Sequence, residues 1–117
     1  MLETITCDIT LETFHTLLKN NTGLLIIKLY AKWCKPCHLI KNEVDEWFHV
    51  MPNNVQTVSL DIDKSFNVYA SLKNKKMLNG IPAILMYRKG NITFIPDEMV
   101  NSSNISEIDN FFMKCIQ

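Results

Sequence analysis

The residues of this chain that could do chemistry converge on one stretch, Ala31-Lys32-Trp33-Cys34-Lys35-Pro36-Cys37-His38. Two cysteines separated by two residues can close a small disulfide ring or stand as a dithiol, so the pair can exchange electrons. Their placement decides which sulfur reacts. The run Leu24-Leu25-Ile26-Ile27 before the motif reads as a buried strand, and the apolar residues after it recur at helical spacing, so the cysteines fall where a strand passes into a helix. Backbone N–H groups at a helix start lack partners and the dipole is positive there, which stabilises an anion and lowers the pKa of a thiol. Cys34 is therefore the expected thiolate, with Cys37 one turn deeper. Pro36, in the first turn, presets φ and lacks an N–H that would be an orphan in any case. Lys28, Lys32, Lys35 and His38 crowd positive charge around the pair, which favours the thiolate further. A stabilised thiolate stabilises the reduced state, so an oxidising disulfide is expected.

Other readings of the same residues compete. A structural zinc needs four ligands, usually from a second Cys/His pair, but Cys7 and Cys115 are single and lie near opposite ends, so no metal is expected. Both read as small buried residues rather than redox sensors. His15 and His49 read as surface residues on helices, and Trp47, at helical spacing, reads as core. Trp33 lies outside any apolar stripe, next to Cys34, and reads as active-site surface. Lys28 interrupts an otherwise apolar strand. Its ammonium either snorkels to water along its alkyl stem or, if enclosed, must find an acid such as Asp61 or lose its proton.

The elements that must hold the motif can be read in order. Ile5 marks a short strand, and Asp8 or Thr10 can cap a helix with the apolar face Leu11, Phe14, Leu17 and Leu18. Leu24 to Tyr30 is apolar without alternation, as in a central strand covered on both faces. Leu39, Ile40, Val44, Trp47, Phe48 and Met51 give an amphipathic helix that anchors the cysteines. Val55 to Asp63 reads as a strand and Ser65 to Met77 as a helix. Ala83 to Tyr87 and Ile92 to Ile95, joined by Arg88-Lys89-Gly90-Asn91, read as an antiparallel hairpin closed by Pro96. Asn104 with Glu107 starts a last helix with the stripe Ile105, Ile108, Phe111, Phe112 and Cys115. The order is βαβαβαββα.

Bulk properties exclude other classes. The 117 residues, 47% of them hydrophobic, fit one domain over 1–117 that buries its own core without structural disulfides. Twelve basic residues balance twelve acidic ones, so neither nucleic acid nor an anionic membrane is an expected partner. No signal peptide or membrane span is expected, and the cytoplasm is the default setting. Asn20, Asn91, Asn101 and Asn104 open Asn-X-Ser/Thr triplets, as chance provides in so Asn-rich a chain.

With these residues in view, the chain resembles the thioredoxin family. The resemblance rests on Ala31-Lys32-Trp33-Cys34-Lys35-Pro36-Cys37 after a hydrophobic strand, Asp61-Ile62-Asp63, Gly80-Ile81-Pro82-Ala83 and the Lys89-Gly90 turn, in order along almost the whole chain. It implies an α/β thioredoxin fold, with a five-stranded mixed sheet flanked by four helices. It also implies dithiol–disulfide exchange on protein substrates without a bound cofactor, as a monomer supplied by an electron-donating reductase. Cys34 would then attack and Cys37 resolve the mixed disulfide. Pro82 would be cis and face the cysteines, with Trp33 and Ile81 forming the apolar rim on which substrate docks. Lys28, Lys35 and Pro36 would tune the site.

Several positions depart from the family pattern. Lys28 stands where the family has a buried aspartate that helps move the second cysteine's proton, so slow resolution is expected. Lys35-Pro36 replaces Gly-Pro, and Asn42 stands where many members have a helix-kinking proline. No glycine follows Gly90, which implies a bulkier surface near Pro96 to Glu98. The stretch from Asp63 to Pro82 is long, implying an extended helix or loop around Asn74-Lys75-Lys76. Net protein-disulfide reduction is the first expectation; a net oxidase or isomerase, and a binding module whose cysteines are secondary, are the alternatives.

Overall fold

Leu24–Tyr30 (β1), apolar but for Lys28 and covered on both faces, is the inner strand to which the rest is added. The computed structural model describes residues 2–75 and 78–117. Val55–Asp61 (β2) pairs with β1 in parallel, and Ala83–Arg88 (β3) pairs with its other edge antiparallel. Glu98–Val100 (β4) pairs antiparallel with β3, giving the order β2-β1-β3-β4.

Side-chain alternation along β1 and β3 divides the interior into two layers. Leu25, Ile27, Leu29, Leu85 and Tyr87 meet Phe14 and Leu18 of helix Leu11–Lys19 (α1) and Val68 and Leu72 of helix Phe66–Asn74 (α3). On the opposite face, Ile26, Ile84 and Met86 meet Ile40, Val44 and Phe48 of helix Lys35–His49 (α2) and the Ile108, Phe111, Phe112, Cys115 stripe of helix Ile105–Cys115 (α4). Thr10 caps α1 by accepting from Thr13 N–H at 3.0 Å, and Asn104 caps α4 by accepting from Glu107 N–H at 3.2 Å.

Two expected strands differ. The first shrinks to one parallel bridge, Ile5 to Val58, because the chain leaves the sheet edge at Cys7 to reach the Thr10 cap; among the described residues the sheet has four strands, not five. The expected strand Ile92 to Ile95 is a loop, and β3 pairs instead with Glu98–Val100. Side chains take the hydrogen bonds a ladder would have used: Arg88 N–H and Asn91 Nδ2 donate to Asp97, Thr93 N–H donates to Asn91, and Tyr87 Oη donates to the Phe94 carbonyl. Phe94 stacks on Phe14 with centroids 4.6 Å apart, pinning the loop while Ile92 and Ile95 stay exposed. Pro96 therefore precedes the last strand rather than closing it.

Smaller differences follow the same logic. β2 stops at Asp61, whose Oδ1 accepts from Asp63 N–H at 3.0 Å and turns the chain. α3 ends at Asn74; its expected extension through Lys76 and Met77 lies outside the described residues. α2 runs unbroken through Asn42. Cys115 is buried as expected, whereas Cys7 is exposed, since the segment that carries it leaves the sheet.

Candidate active site

Cys34 is the N-cap of α2, with extended backbone (φ −86°, ψ 103°), and its Sγ accepts from Cys37 N–H at 3.2 Å. The sulfur thus occupies the place where a capping serine oxygen would sit, against the unpaired N–H groups of the first turn. Cys34 and Cys37 are joined by a disulfide, with Cα atoms 5.3 Å apart. Lys35 and Pro36 form the exposed first turn, which holds no acidic residue. Cys34 N–H donates to the Ala31 carbonyl at 3.1 Å, and a nitrogen of the His38 ring lies 2.8 Å from the Lys32 carbonyl, so the approach from β1 is fixed on both sides.

Trp33 is 68% exposed, and its indole N–H donates to Asp63 Oδ2 at 2.9 Å. The ring is thereby held beside the cysteines rather than free to swing. Both cysteines are buried in the cluster that contains Ala83, and Ile81 is half-buried against it. The Ile81–Pro82 bond is cis and Pro82 is buried.

Sequence reasoning passed over the residue that fixes this loop. Asn101, directly after β4, donates from Nδ2 to the Pro82 carbonyl at 2.7 Å and to the Gly80 carbonyl at 3.3 Å, and its Oδ1 accepts from Asn79 N–H at 2.9 Å. Because the last strand is Glu98–Val100, Asn101 rather than Pro96 to Glu98 is the residue that follows it beside the proline loop. Only its triplet with Ser102 and Ser103 was visible in sequence; a glycosylation pattern carries no hint of a backbone clamp.

Lys28 is only 4% exposed, on the face of β1 turned toward α2. Its ammonium lies 5.2 Å from the centroid of the Tyr30 ring. Burial lowers its pKa from the ordinary 10.5, with Asp45 opposing the shift and Lys41 adding to it. The expected partner Asp61 is instead engaged with the chain at Asp63. Lys28, Cys37 and Asp45 line one cavity below the motif. Among the described residues no group of three or more His, Cys, Asp or Glu side chains is arranged to hold a metal ion.

Comparison with known proteins gives this geometry a context. A family model described as Thioredoxin matches residues 5–114. Thioredoxin Y2, chloroplastic, of Arabidopsis thaliana is 28% identical over 71% of this chain and 47% of its own length. Thioredoxin H8 of the same plant is 27% identical over 86% of this chain and 62% of its own. The chain thus spans about half the length of the first curated relatives it matches. Among solved structures, Trichomonas vaginalis thioredoxin superposes with a TM-score of 0.74 at 20% identity, covering 95% of this chain and 96% of that one. The oxidized form of mitochondrial thioredoxin 3 from Saccharomyces cerevisiae gives 0.73 at 21% identity, covering 95% and 94%. At that identity the structures establish the fold, while the family model spans the strand, the Cys34–Cys37 motif, the cis-proline loop and the last helix: this chain belongs to the thioredoxin family.

Proposed function

We propose that the chain is a thiol–disulfide oxidoreductase that reduces protein disulfides through Cys34 and Cys37. The observation that carries this reading is the Cys34–Cys37 disulfide at the N-cap of α2, with Sγ facing a backbone N–H. In the reduced protein, Cys34 thiolate attacks one sulfur of a substrate disulfide. A Cys34–substrate bond forms, the substrate S–S bond breaks, and the departing sulfur takes a proton. Cys37 then loses its proton and attacks Cys34 Sγ, closing the Cys34–Cys37 bond and releasing the second substrate sulfur as a thiol. Two electrons have passed to the substrate, and an external dithiol or reductase must return them. Trp33 and Ile81 offer the apolar rim, and the Pro82 loop pairs with an extended substrate segment. Lys28, Lys35 and Pro36 tune the sulfurs. No bound cofactor enters any step.

Insulin reduction driven by dithiothreitol tests this reading. Wild type should accelerate precipitation of the insulin B chain and Cys34→Ser should remain at the background rate; equal rates for the two would overturn it.

One feature favours a more oxidising protein of the oxidase or isomerase kind: Lys35 opens α2 and no acid stands in its first turn. A cation there stabilises the thiolate, hence the reduced form. The equilibrium with glutathione separates the two directions. The cytoplasm is the proposed setting, where the exposed Cys7 thiol would stay reduced, and the protein is proposed to work as a single-domain monomer. No helix among the described residues is long and apolar enough to cross a membrane.

A further inference from the structure

The cavity below the cysteine motif has a volume of about 580 Å³, within the range of sites that take small organic molecules. Its walls come from β1, β2, α2 and the segment before α1, with Tyr30, Ala31, Cys37 and Phe48 supplying apolar surface. Cys37, Lys41, Asp45 and Phe48 recur on one face of α2, which is why a single helix can wall it. The first strand is reduced to the bridge at Ile5, and Thr4 and Thr6, on either side of that bridge, line the cavity with Ser59 of β2.

The charge balance of the lining is uneven. Lys28, Lys32 and Lys41 face a single carboxylate, Asp45. That carboxylate is already taken, since Lys41 Nζ donates to Asp45 Oδ2 at 2.8 Å. Lys28 is thus left, among the described residues, with no ion pair and no hydrogen bond, although it is 4% exposed. Its ammonium lies over the face of Tyr30, also in the cavity wall. No buried side-chain nitrogen among the described residues is left without a partner, so the ammonium itself opens onto the cavity, where an anion that enters can pair with it.

We propose that this cavity is a binding site for a small organic monocarboxylate whose charge pairs with Lys28 and whose apolar body lies along Phe48, Tyr30 and Ala31. The mixture of one cation open to the cavity, without an anion of its own, and mainly apolar walls selects the class. A compact oxyanion would meet the charge but leave the apolar walls wet, and an uncharged molecule would leave Lys28 unpaired. Lys41 is held by Asp45 and the exposed Lys32 is solvated, so one negative charge suffices. The site stands apart from the redox reading, because binding is measured on the oxidised protein with nothing turning over.

Phenylacetate is a suitable probe, with phenylacetamide as the uncharged isostere and sodium sulfate as the charge without the body, all at matched ionic strength. Amide resonances of the oxidised protein are followed by NMR on titration. Phenylacetate should shift the Lys28, Tyr30, Phe48 and Ser59 signals saturably. Phenylacetamide, and phenylacetate with Lys28→Met, should bind about tenfold more weakly or worse, because the charge-assisted contact is gone. Lys28→Arg should restore most of the affinity for phenylacetate. The proposal is overturned if the amide binds as well as the acid, if Lys28→Met binds the acid unchanged, if sulfate alone shifts the same signals, or if no saturable shift appears up to about 10 mM, the weak end for a ligand this size.

Discussion

At the scale of single residues, Asn101 and Lys28 do the least expected things. Asn101 spends its amide on the carbonyls of Gly80 and Pro82, so Asn101→Ala leaves two loop carbonyls and the Asn79 N–H without their partner. Stability should fall by about 1 to 2 kcal/mol in a denaturant titration. If the residue positions the docking loop, KM for insulin should rise about threefold or more with kcat little changed; a fall in kcat at constant KM would assign it a different part. Lys28 has the opposite sign, because its charge is a cost. Lys28→Met should raise stability at neutral pH, as read by a denaturant titration. The folded pKa is lowered, so between that value and 10.5 the unfolded chain holds the extra proton and wild-type stability climbs with pH. The advantage of the methionine variant should therefore shrink as pH rises toward 10.5, and a gain constant over that window would show that the lysine is not penalised by burial. Lys28→Asp should speed resolution of the mixed disulfide, since it puts a proton acceptor in the cavity that Cys37 also lines; unchanged turnover would remove that role. The Cys34–Cys37 disulfide was legible because short-range spacing marks it, and the cis bond at Pro82 only through the resemblance to the family. Asn101 was not, because a clamp made across 19 to 22 residues leaves no local pattern.

At the scale of elements, the start of α2 and the loop after β3 show what local sequence does and does not decide. Helix α2 was legible from its apolar spacing, and the cysteine cap with proline in the first turn follows from that start. Lys35→Glu places an anion beside the cap, where it destabilises the thiolate and with it the reduced form. The glutathione equilibrium should move toward the disulfide by about two- to fivefold, the size of a charge effect in a first turn; a shift toward the dithiol would contradict the assignment of Lys35. The segment 89–97 misleads because Ile92-Thr93-Phe94-Ile95 has strand composition while Asn91, Thr93 and Asp97 offer the backbone nearer partners. Besides those hydrogen bonds, the aromatic contact of Phe94 on Phe14 holds it to the core. Phe94→Ala should cost about 2 kcal/mol, less than a fully enclosed phenylalanine because the ring is half-buried. Strand composition there reported burial of one ring, not pairing.

At the scale of the whole molecule, the two apolar layers on either face of β1 and β3 make the motif rigid on its inner side and leave Trp33 outside. The apolar run of β1, without alternation, and the helical period around it carried that arrangement, so layers and connectivity could be read from sequence; the fifth strand could not, because one bridge at Ile5 and a full strand present the same few residues. The layering also sorts the remaining thiols. Burial pushes the Cys115 thiol up to about 12, with the Glu98 charge adding to it, while Cys7 is exposed. Iodoacetamide near pH 8 should alkylate Cys7 in the folded, oxidised protein and reach Cys115 only on unfolding, as read by mass spectrometry. The central claim, that Cys34 attacks and Cys37 resolves, is tested most directly by trapping. Cys37→Ser mixed with a disulfide-bonded protein should accumulate a covalent adduct through Cys34 that dithiothreitol releases, and Cys34→Ser should accumulate none. An adduct carried by Cys37 in Cys34→Ser, with none on Cys34 in the other variant, would contradict the account.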